Sequence, residues 1–165
     1  MGEHITLDEG RARRQSLHRA GKRLVFTNGH FDLLHVGHLD YLEKARALGD
    51  ALFVGVNSDA STRRLKGVGR PIIPAGERAR LLAALAPVSA VFIFEDDTAD
   101  EPIAALQPDI YVKGGDYALS TDASAARKPL PEAPTVEQYG GKIIFIEYLP
   151  EHSTSDLIAR IKALP

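Results

Sequence analysis

The feature that most constrains the fold is a series of short, apolar runs separated by amphipathic segments. The runs are "RLVF", "ALFVGV", "AVFIF", "DIYVKGG" and "KIIFI". Strands that are uniformly apolar are covered on both faces, and strands that alternate with helices pair in parallel through right-handed crossovers. The sequence therefore predicts an α/β fold: a doubly wound, Rossmann-like parallel sheet of about five strands with helices on both faces.

The chain has 165 residues, which is the length of one domain, so we expect residues 1–165 to share one core. Residues 1–21 form a predicted accessory helix that is capped near Thr6 or Asp8 and ends at Gly21. Residues 118–134 lack periodicity and include three prolines, a pattern typical of a functional loop or lid.

Composition limits the possible partners and compartments. The formal net charge of -2 gives no bulk attraction to nucleic acid or to an anionic membrane, so we expect neither as a partner. The absence of cysteine excludes disulfides and thiolate chemistry. No apolar run approaches the roughly 18 residues of a membrane span, and the N-terminus lacks the apolar core of a signal peptide. A cytoplasmic location is the simplest prediction, although a cysteine-free chain fits any compartment.

The most unusual polar cluster is "TNGHFDLLHVGH", directly after the first predicted strand. His35 and His38 are three residues apart, so both imidazoles can face one point if a helix starts near Val36. The free N–H groups and the positive dipole end of a helix N-terminus favour phosphate oxygens, and Gly37 lets a ligand approach the backbone. We therefore predict that this turn binds phosphate.

Two other interpretations of the histidine pair remain open. Both residues could be structural, capping the turn. They could also ligate zinc, although a third ligand would be needed and the chain has neither cysteine nor an HExxH pattern.

Other polar turns follow later strands and should meet the first at one edge of the sheet, where ligands bind in open α/β folds. "EHSTSDLI" opens the last helix with Ser153, Thr154 or Ser155 as N-cap, and alone it indicates only a cap. Its place after the last strand adds a possible role in binding polyphosphate. "VKGGDY" puts Lys113 where it could contact phosphate and Asp116 where it could contact a hydroxyl or a metal, with a plain turn as the alternative.

Taken in order, these motifs resemble the HxGH nucleotidyltransferase superfamily. The similarity runs through "VGVNSDASTRRLKG", "GRPIIP", "ERARLLAAL", "VKGGDY" and "HSTSDLIARI", and it is greatest to the stand-alone adenylyltransferases that act on D-glycero-β-D-manno-heptose 1-phosphate in ADP-heptose biosynthesis. The resemblance implies transfer of AMP from ATP to a sugar 1-phosphate by direct attack on the α-phosphorus. It also implies Mg²⁺, bound mainly through the triphosphate rather than by side chains, and a homodimer.

The resemblance also assigns roles to residues. His35, His38 and Lys66 would be catalytic, since they would stabilise charge on the phosphates. Asp32 would lie near the α-phosphate and the acceptor, and His30 would line the acceptor pocket. The nucleotide would contact a larger set: Thr27, Asn28, Gly29, Gly37, Arg78, Lys113, Gly114, Asp116, Ser153, Thr154 and Ser155.

Two features depart from the family pattern. His30 stands where heptose enzymes usually carry cysteine and cytidylyltransferases carry threonine, which adds size and a titratable group. The loop at 118–134 is also longer and richer in proline than usual, at a place where an acceptor would be enclosed.

Two alternative functions remain at this stage. One is a CTP-dependent cytidylyltransferase for an alcohol phosphate such as glycerol 3-phosphate, which "FDLLHVGH" fits equally well. The other is a nucleotide-binding sensor module that has kept the fold and lost turnover.

Overall fold

A parallel sheet of six strands forms the centre of the computed structural model, which describes residues 2–119 and 128–164. The strands of this sheet are β1 (Glu3–His4), β2 (Leu24–Gly29), β3 (Ala51–Asn57), β4 (Ala90–Phe94), β5 (Ile110–Gly114) and β8 (Lys142–Ile146). The helices are α1 (Leu7–Arg19), α2 (Val36–Arg46), α3 (Asp59–Lys66), α4 (Ala75–Ala83), α5 (Asp100–Leu106), α6 (Ala133–Gln138) and α7 (Thr154–Lys162). The predicted fold class is confirmed.

The strand order is β1-β4-β3-β2-β5-β8, and every neighbouring pair is parallel. The chain builds outwards from β2 to β3 and β4, and then crosses back to place β5 on the other side of β2. The boundary between β2 and β5 is therefore the switch point, beside which ligands bind in doubly wound sheets. The five predicted strands are all present, and β1 adds a sixth that is too short to give a sequence pattern.

Two apolar layers cover the sheet. One layer packs α2 and α4 against Val25, Val54 and their neighbours, and the other packs α5 and α6 against Phe26 and Phe53. The second layer contains a group of aromatic side chains, and the Phe26 ring stacks on Phe92 with 5.7 Å between centroids. Because successive strand residues point to opposite faces, fully apolar strands fill both layers.

The N-terminal helix α1 is firmly attached to the body of the protein. It begins at the predicted N-cap, Thr6, which forms a capping box with Glu9, and the turn after the helix contains Gly21 at φ +66°. Arg14 of this helix holds Asp109 through both carboxylate oxygens, at 2.7 and 3.0 Å. The segment predicted to be accessory therefore covers part of the sheet.

The predicted loop at 118–134 is partly regular. Tyr117–Ala118 (β6) pairs in parallel with Lys128–Pro129 (β7), and α6 begins at Ala133. Residues 120–127, the middle of the predicted loop, lie outside the described residues. Within the described ranges no helix is long and apolar enough to span a membrane.

Candidate active site

A cleft of about 820 Å³ opens at the carboxyl ends of the strands, beside the switch point. The turns after β2, β3, β5 and β8 all contribute to its walls. All the predicted site residues except Thr27 and Arg78 line it: Asn28, Gly29, His30, Asp32, His35, Gly37, His38, Lys66, Lys113, Gly114, Asp116, Ser153, Thr154 and Ser155.

The start of α2 places the two histidines together. His35 is the N-cap residue, with extended backbone, and its ring lies 3.9 Å from that of His38 between centroids. The His35 backbone N–H donates a long hydrogen bond of 3.4 Å to Nδ1 of His38. Nδ1 of His35 is buried and has no hydrogen-bond partner in the described part of the chain. A buried polar atom without a partner is costly, so this nitrogen is available for a ligand.

Both histidines are held in the neutral form near pH 7. Burial, together with the neighbouring His35, lowers the pKa of His38 to about 4, while Asp32 opposes the shift. Burial also lowers the pKa of His35, with a further contribution from His152. A neutral imidazole still carries one N–H donor, so the pair can donate to phosphate oxygens while adding no positive charge to the cleft.

Gly37 is closely packed at the same turn. A Cβ atom on Gly37 would lie 3.0 Å from Cβ of His152 and 3.0 Å from the His35 ring. A larger residue would push these side chains outwards, so glycine favours the close approach of the first turn of α2 to the segment that precedes α7. The sequence predicts that a ligand approaches the backbone closely at Gly37. In this structure the side chain of His152 lies close to that backbone.

Asp32 is almost fully buried and is occupied by the protein. It accepts hydrogen bonds from Nε of Arg70 at 2.8 Å and from the backbone N–H groups of Ile72 and Ile73 at 2.8 and 2.9 Å. Burial would raise its pKa, but these donors outweigh burial and lower it. In this structure the carboxylate anchors residues 70–73 against the histidine turn, and its contact with the acceptor stays a prediction.

The backbone on either side of Asp32 is strained. Phe31 and Leu33 both adopt positive φ, at 48° and 51°, which costs roughly 1 kcal/mol or more for residues with side chains. Between these two residues the Asp32 carboxylate is buried and bonded to Arg70, Ile72 and Ile73.

Arg78 lies in the interior, not on the wall of the cleft. It is fully buried in α4, and its guanidinium donates to the backbone carbonyls of His30, Asn57 and Ile73 and to the carboxylate of Asp59. The prediction that Arg78 contacts the nucleotide is thus corrected to a positioning role. A buried guanidinium needs acceptors for its N–H donors. By finding them in several elements, Arg78 joins the ends of β2 and β3 to α4.

Thr27 lies below the cleft rather than on its wall. Its hydroxyl is buried and lies 2.8 Å from the hydroxyl of Tyr41, which donates to the carbonyl of Val112 at 3.1 Å. Thr27 therefore fixes α2 to the sheet below the cleft.

Asn28 ties the two central strands together at the floor of the cleft. Its Oδ1 accepts hydrogen bonds from the Tyr111 hydroxyl at 2.7 Å and from Nζ of Lys113 at 3.0 Å. Burial lowers the pKa of Lys113, although the nearby carboxylates of Glu132 and Asp116 oppose the shift.

Gly114, the last residue of β5, and Gly115, the next residue, make room for neighbouring side chains of the same chain. A Cβ atom on Gly114 would overlap the Tyr148 ring, and one on Gly115 would meet the carboxylate of Glu147. Tyr148 lines the cleft and donates a hydrogen bond from its hydroxyl to Asp116 at 3.1 Å. The sequence did not single out Tyr148, because an exposed tyrosine after a strand carries no distinctive signal.

The start of α7 is capped as the sequence predicted. The Ser153 hydroxyl accepts from the backbone N–H of Asp156 at 3.1 Å, and the Thr154 hydroxyl donates to the carbonyl of Asp32 at 2.8 Å. The second bond joins α7 directly to the histidine turn. Ser155 lies exposed beside them at the cleft.

His30 and Lys66 lie at the ends of β2 and α3. Nδ1 of His30 is 3.0 Å from the hydroxyl of Thr62. Burial lowers the pKa of His30 to about 4, and the surrounding cations Lys66, Arg78, Lys113 and Arg70 add to the shift. The titratable group that the sequence noted is therefore neutral at physiological pH. Lys66 is exposed and makes no ion pair with the residues that the structure describes.

Side chains offer little for a metal ion. Within residues 2–119 and 128–164, no three histidine or carboxylate side chains group closely enough to hold one. The described residues therefore give no support to the zinc interpretation. They are compatible with a divalent metal that arrives with a triphosphate and is held mainly by phosphate oxygens.

Sequence comparisons find similar proteins that carry the name HldE. The chain is 53% identical over 143 residues to the bifunctional protein HldE of Syntrophotalea carbinolica, covering 87% of this chain and 28% of the relative. It is 44% identical over 155 residues to the HldE of Methylobacillus flagellatus, covering 94% of this chain and 30% of the relative. The chain thus spans less than a third of the length of these curated relatives.

Solved structures support the fold alone. A lipopolysaccharide core biosynthesis protein from Thermoplasma volcanium superimposes with a TM-score of 0.62 and 24% identity, covering 78% of this chain and 98% of that one. The pantoate-beta-alanine ligase of Francisella tularensis gives a TM-score of 0.58 and 14% identity, covering 98% of this chain and 77% of that one.

The resemblance predicted from the HxGH turn is matched by a family model. The model described as cytidylyltransferase-like covers residues 26–160, from β2 to α7, and so includes every turn that lines the cleft. The chain therefore belongs to the cytidylyltransferase-like family of nucleotidyltransferases.

Proposed function

We propose that this protein transfers AMP from ATP to D-glycero-β-D-manno-heptose 1-phosphate, giving ADP-heptose and pyrophosphate. The observation that carries the proposal is the meeting of two helix N-termini, those of α2 and α7, with the neutral His35–His38 pair in one cleft. Identity of about half to the HldE proteins over most of the chain supports the sugar phosphate as acceptor.

In the proposed reaction a phosphate oxygen of the sugar phosphate attacks the α-phosphorus of ATP. A new P–O bond forms there as the bond to the β-bridging oxygen breaks, and pyrophosphate leaves with the electron pair. The protein positions the reactants and stabilises the developing charge, so no side-chain nucleophile is needed. His35 and His38 donate from their ring N–H groups, the α2 N-terminus adds backbone donors, and Lys66 supplies a mobile positive charge.

A divalent cation is part of the proposal, since nucleotidyltransferases generally act on a metal-bound triphosphate. We propose Mg²⁺, which would lower the charge repulsion between phosphates. The described residues hold no carboxylate cluster of their own for it, which fits an ion that enters with ATP.

Two alternatives compete with this proposal. A cytidylyltransferase acting on glycerol 3-phosphate would use the same histidine turn, but "EHSTSDLI" and "VKGGDY" favour the heptose enzymes. A nucleotide sensor would have less need of the histidines, Lys66 and the hydroxyl cluster at one cleft.

The proposed setting of the reaction is the cytoplasm, with a homodimer as the active form and no nucleic acid or membrane partner. These points rest on the sequence resemblance, composition and charge. Sedimentation of the purified chain tests the dimer directly: a species of one chain's mass at the concentrations used for activity would contradict it.

The function is tested by pyrophosphate release with one reactant omitted at a time. We expect release only when ATP, Mg²⁺ and heptose 1-phosphate are all present, together with a product of ADP-heptose mass. Tight ATP binding without turnover under every condition would support the sensor. Turnover with CTP and glycerol 3-phosphate alone would support the cytidylyltransferase.

A further inference from the structure

Glu132 is a buried carboxylate with one oxygen left free. Only 3% of the residue is exposed, and it is the residue before α6. Its Oε1 accepts a hydrogen bond from the backbone N–H of Ala99 at 3.1 Å, before α5. Its Oε2 is buried and has no hydrogen-bond partner among residues 2–119 and 128–164. Leaving such an atom unpaired is costly, so a free buried carboxylate oxygen at a cleft indicates a site for a donor.

The neighbouring lysine leaves this oxygen uncovered. Nζ of Lys113 is 4.0 Å from Oε1 of Glu132 and makes its hydrogen bond to Asn28 instead. The same ammonium lies over the ring of Tyr117, 5.1 Å from the centroid. Lys113 therefore offsets the buried charge of Glu132 while its hydrogen bond goes elsewhere.

Glu132 and the histidine pair occupy different sides of one cleft. The helix α2, which carries His38, packs on one face of the sheet, whereas α5 and α6 pack on the other. Glu132 and the histidine pair both line the cleft, and so does Lys113 near the end of β5. A ligand with its phosphate at the start of α2 would extend across the ends of the strands towards Glu132.

The chemistry at Glu132 suits a hydroxyl group. A carboxylate oxygen only accepts hydrogen bonds, so it repels phosphate and attracts O–H or N–H donors. Segment 128–132 also brings Lys128 to the cleft, and its strand β7 pairs with β6, at the start of the segment that we predict to enclose the acceptor. Asp116 and the start of α7 remain for the nucleoside.

We propose that Oε2 of Glu132 accepts a hydrogen bond from a hydroxyl of the acceptor sugar and so helps to select polyhydroxylated sugar phosphates. This inference rests on the proposed function and specifies how the acceptor is recognised. Glu132 takes no part in bond making; it holds the acceptor in place.

The test is a cycle between the Glu132→Gln variant and mono-deoxy analogues of heptose 1-phosphate, each lacking one hydroxyl. Glutamine keeps the size of the side chain and the bond from Ala99, but removes the charge that strengthens the hydroxyl contact. We expect the variant to raise the acceptor KM roughly 10-fold, with kcat and the ATP KM nearly unchanged. With the wild type, kcat/KM for one analogue should be roughly 10- to 100-fold lower than for heptose 1-phosphate. With that analogue, Glu132→Gln should lower kcat/KM only a little further.

Glu137→Gln is the matched control, because Glu137 is exposed on α6 and does not line the cleft. It removes the same charge from the helix that Glu132 precedes and should leave the acceptor KM unchanged. If the role of Glu132 is purely structural, Glu132→Gln should lower the melting temperature and change the KM of both substrates alike. The variant should then show no coupling with any deoxy analogue.

The outcomes separate this inference from the proposed function. An active wild type with an unchanged acceptor KM in Glu132→Gln overturns the role of Glu132 alone. A raised ATP KM with an unchanged acceptor KM also overturns it, since the donor would then belong to the nucleotide. A wild type that is inactive with every sugar phosphate overturns the proposed function and the sugar contact together.

Discussion

The two helices that point at the cleft begin in different ways. At the start of α2 the side chain of the N-cap residue, His35, makes no capping hydrogen bond, whereas the N-cap Ser153 caps the start of α7 with its hydroxyl. α2 is embedded, with Tyr41, Leu42 and Ala45 in the core. In α7, every residue of which the structure describes, none is buried, and Thr154 provides a hydrogen bond from its start to the histidine turn.

The difference suggests that the two helices have different roles in catalysis and binding. A helix start on a rigid base whose N-cap side chain does not occupy the backbone donors keeps those donors fixed and free for charge that develops during a reaction. A capped, peripheral helix has fewer free donors and little packing to hold it. We therefore expect α2 to determine the rate of the chemical step and α7 to determine how firmly the nucleotide is bound.

The largest expected effect comes from the α2 side. His38→Ala should lower turnover by roughly 10²–10³-fold, the loss found when one preorganised transition-state donor is removed, with the fold intact. Steady-state pyrophosphate release and circular dichroism measure the two quantities. His18→Ala, at an exposed site on α1, is the control. Near-normal turnover in folded His38→Ala would remove His38 from the catalytic groups.

The second effect is on stability at acid pH. The folded protein lowers the pKa of His30 and His38 from 6.5 to about 4, so between those values the unfolded chain binds more protons. The free energy of unfolding should therefore be constant above about pH 6.5 and fall as the pH drops towards 4. We expect each histidine to contribute about 1–2 kcal/mol to that fall between pH 7 and 5.

Urea denaturation of His38→Asn at pH 7 and pH 5 measures this contribution, with exposed His18→Asn as the control. The first variant should show a smaller loss of stability on acidification than the wild type. Equal losses in all three proteins would contradict the assigned protonation state.

The third effect tests the α7 side. Thr154→Val removes the hydroxyl that donates to the Asp32 carbonyl while keeping the side chain's shape. Losing one hydrogen bond of about 1 kcal/mol should raise the KM for ATP by roughly 3- to 10-fold and leave kcat within about 2-fold. A drop in kcat with an unchanged KM would mean that α7 acts on the chemical step. The assignment of separate roles to α2 and α7 would then be wrong.

The smallest effect is a local change in hydrogen exchange. In the free protein α7 should exchange faster than α2, because it has fewer buried contacts. Saturating ATP should slow exchange in α7 more than in α2, and equal slowing in both helices would argue against a mobile nucleotide contact.

Segment 118–134 should respond to the other substrate. We expect its amides to become protected with saturating heptose 1-phosphate and to change little with ATP alone. Unchanged exchange under saturating acceptor would indicate that the segment is only a surface excursion.

Much of this arrangement was predictable because it depends on local patterns. The apolar runs predicted β2, β3, β4, β5 and β8, and the topology rule then brought the turns after them to one edge. The strand β1 was missed, since two residues give no periodicity.

What could not be predicted is which polar groups the protein uses internally. Thr27, Asp32 and Arg78 stand in a binding motif, yet each satisfies buried partners from residues distant in sequence. Conversely, the free oxygen of Glu132 is apparent only once Ala99 and Lys113 are placed around it. A pattern in the chain shows that a residue is polar and near a strand end, but partners from other elements decide whether it faces the ligand.

The most direct test of the central claim is a matrix of nucleotides and acceptors. Mg²⁺-dependent pyrophosphate release would be measured with ATP, CTP, GTP and UTP, each paired with heptose 1-phosphate and with glycerol 3-phosphate. The account predicts turnover with ATP and heptose 1-phosphate, and little with the other pairs. Silence with that pair and turnover with CTP and glycerol 3-phosphate would contradict it, leaving the histidine turn in place but assigning the cleft to a different reaction.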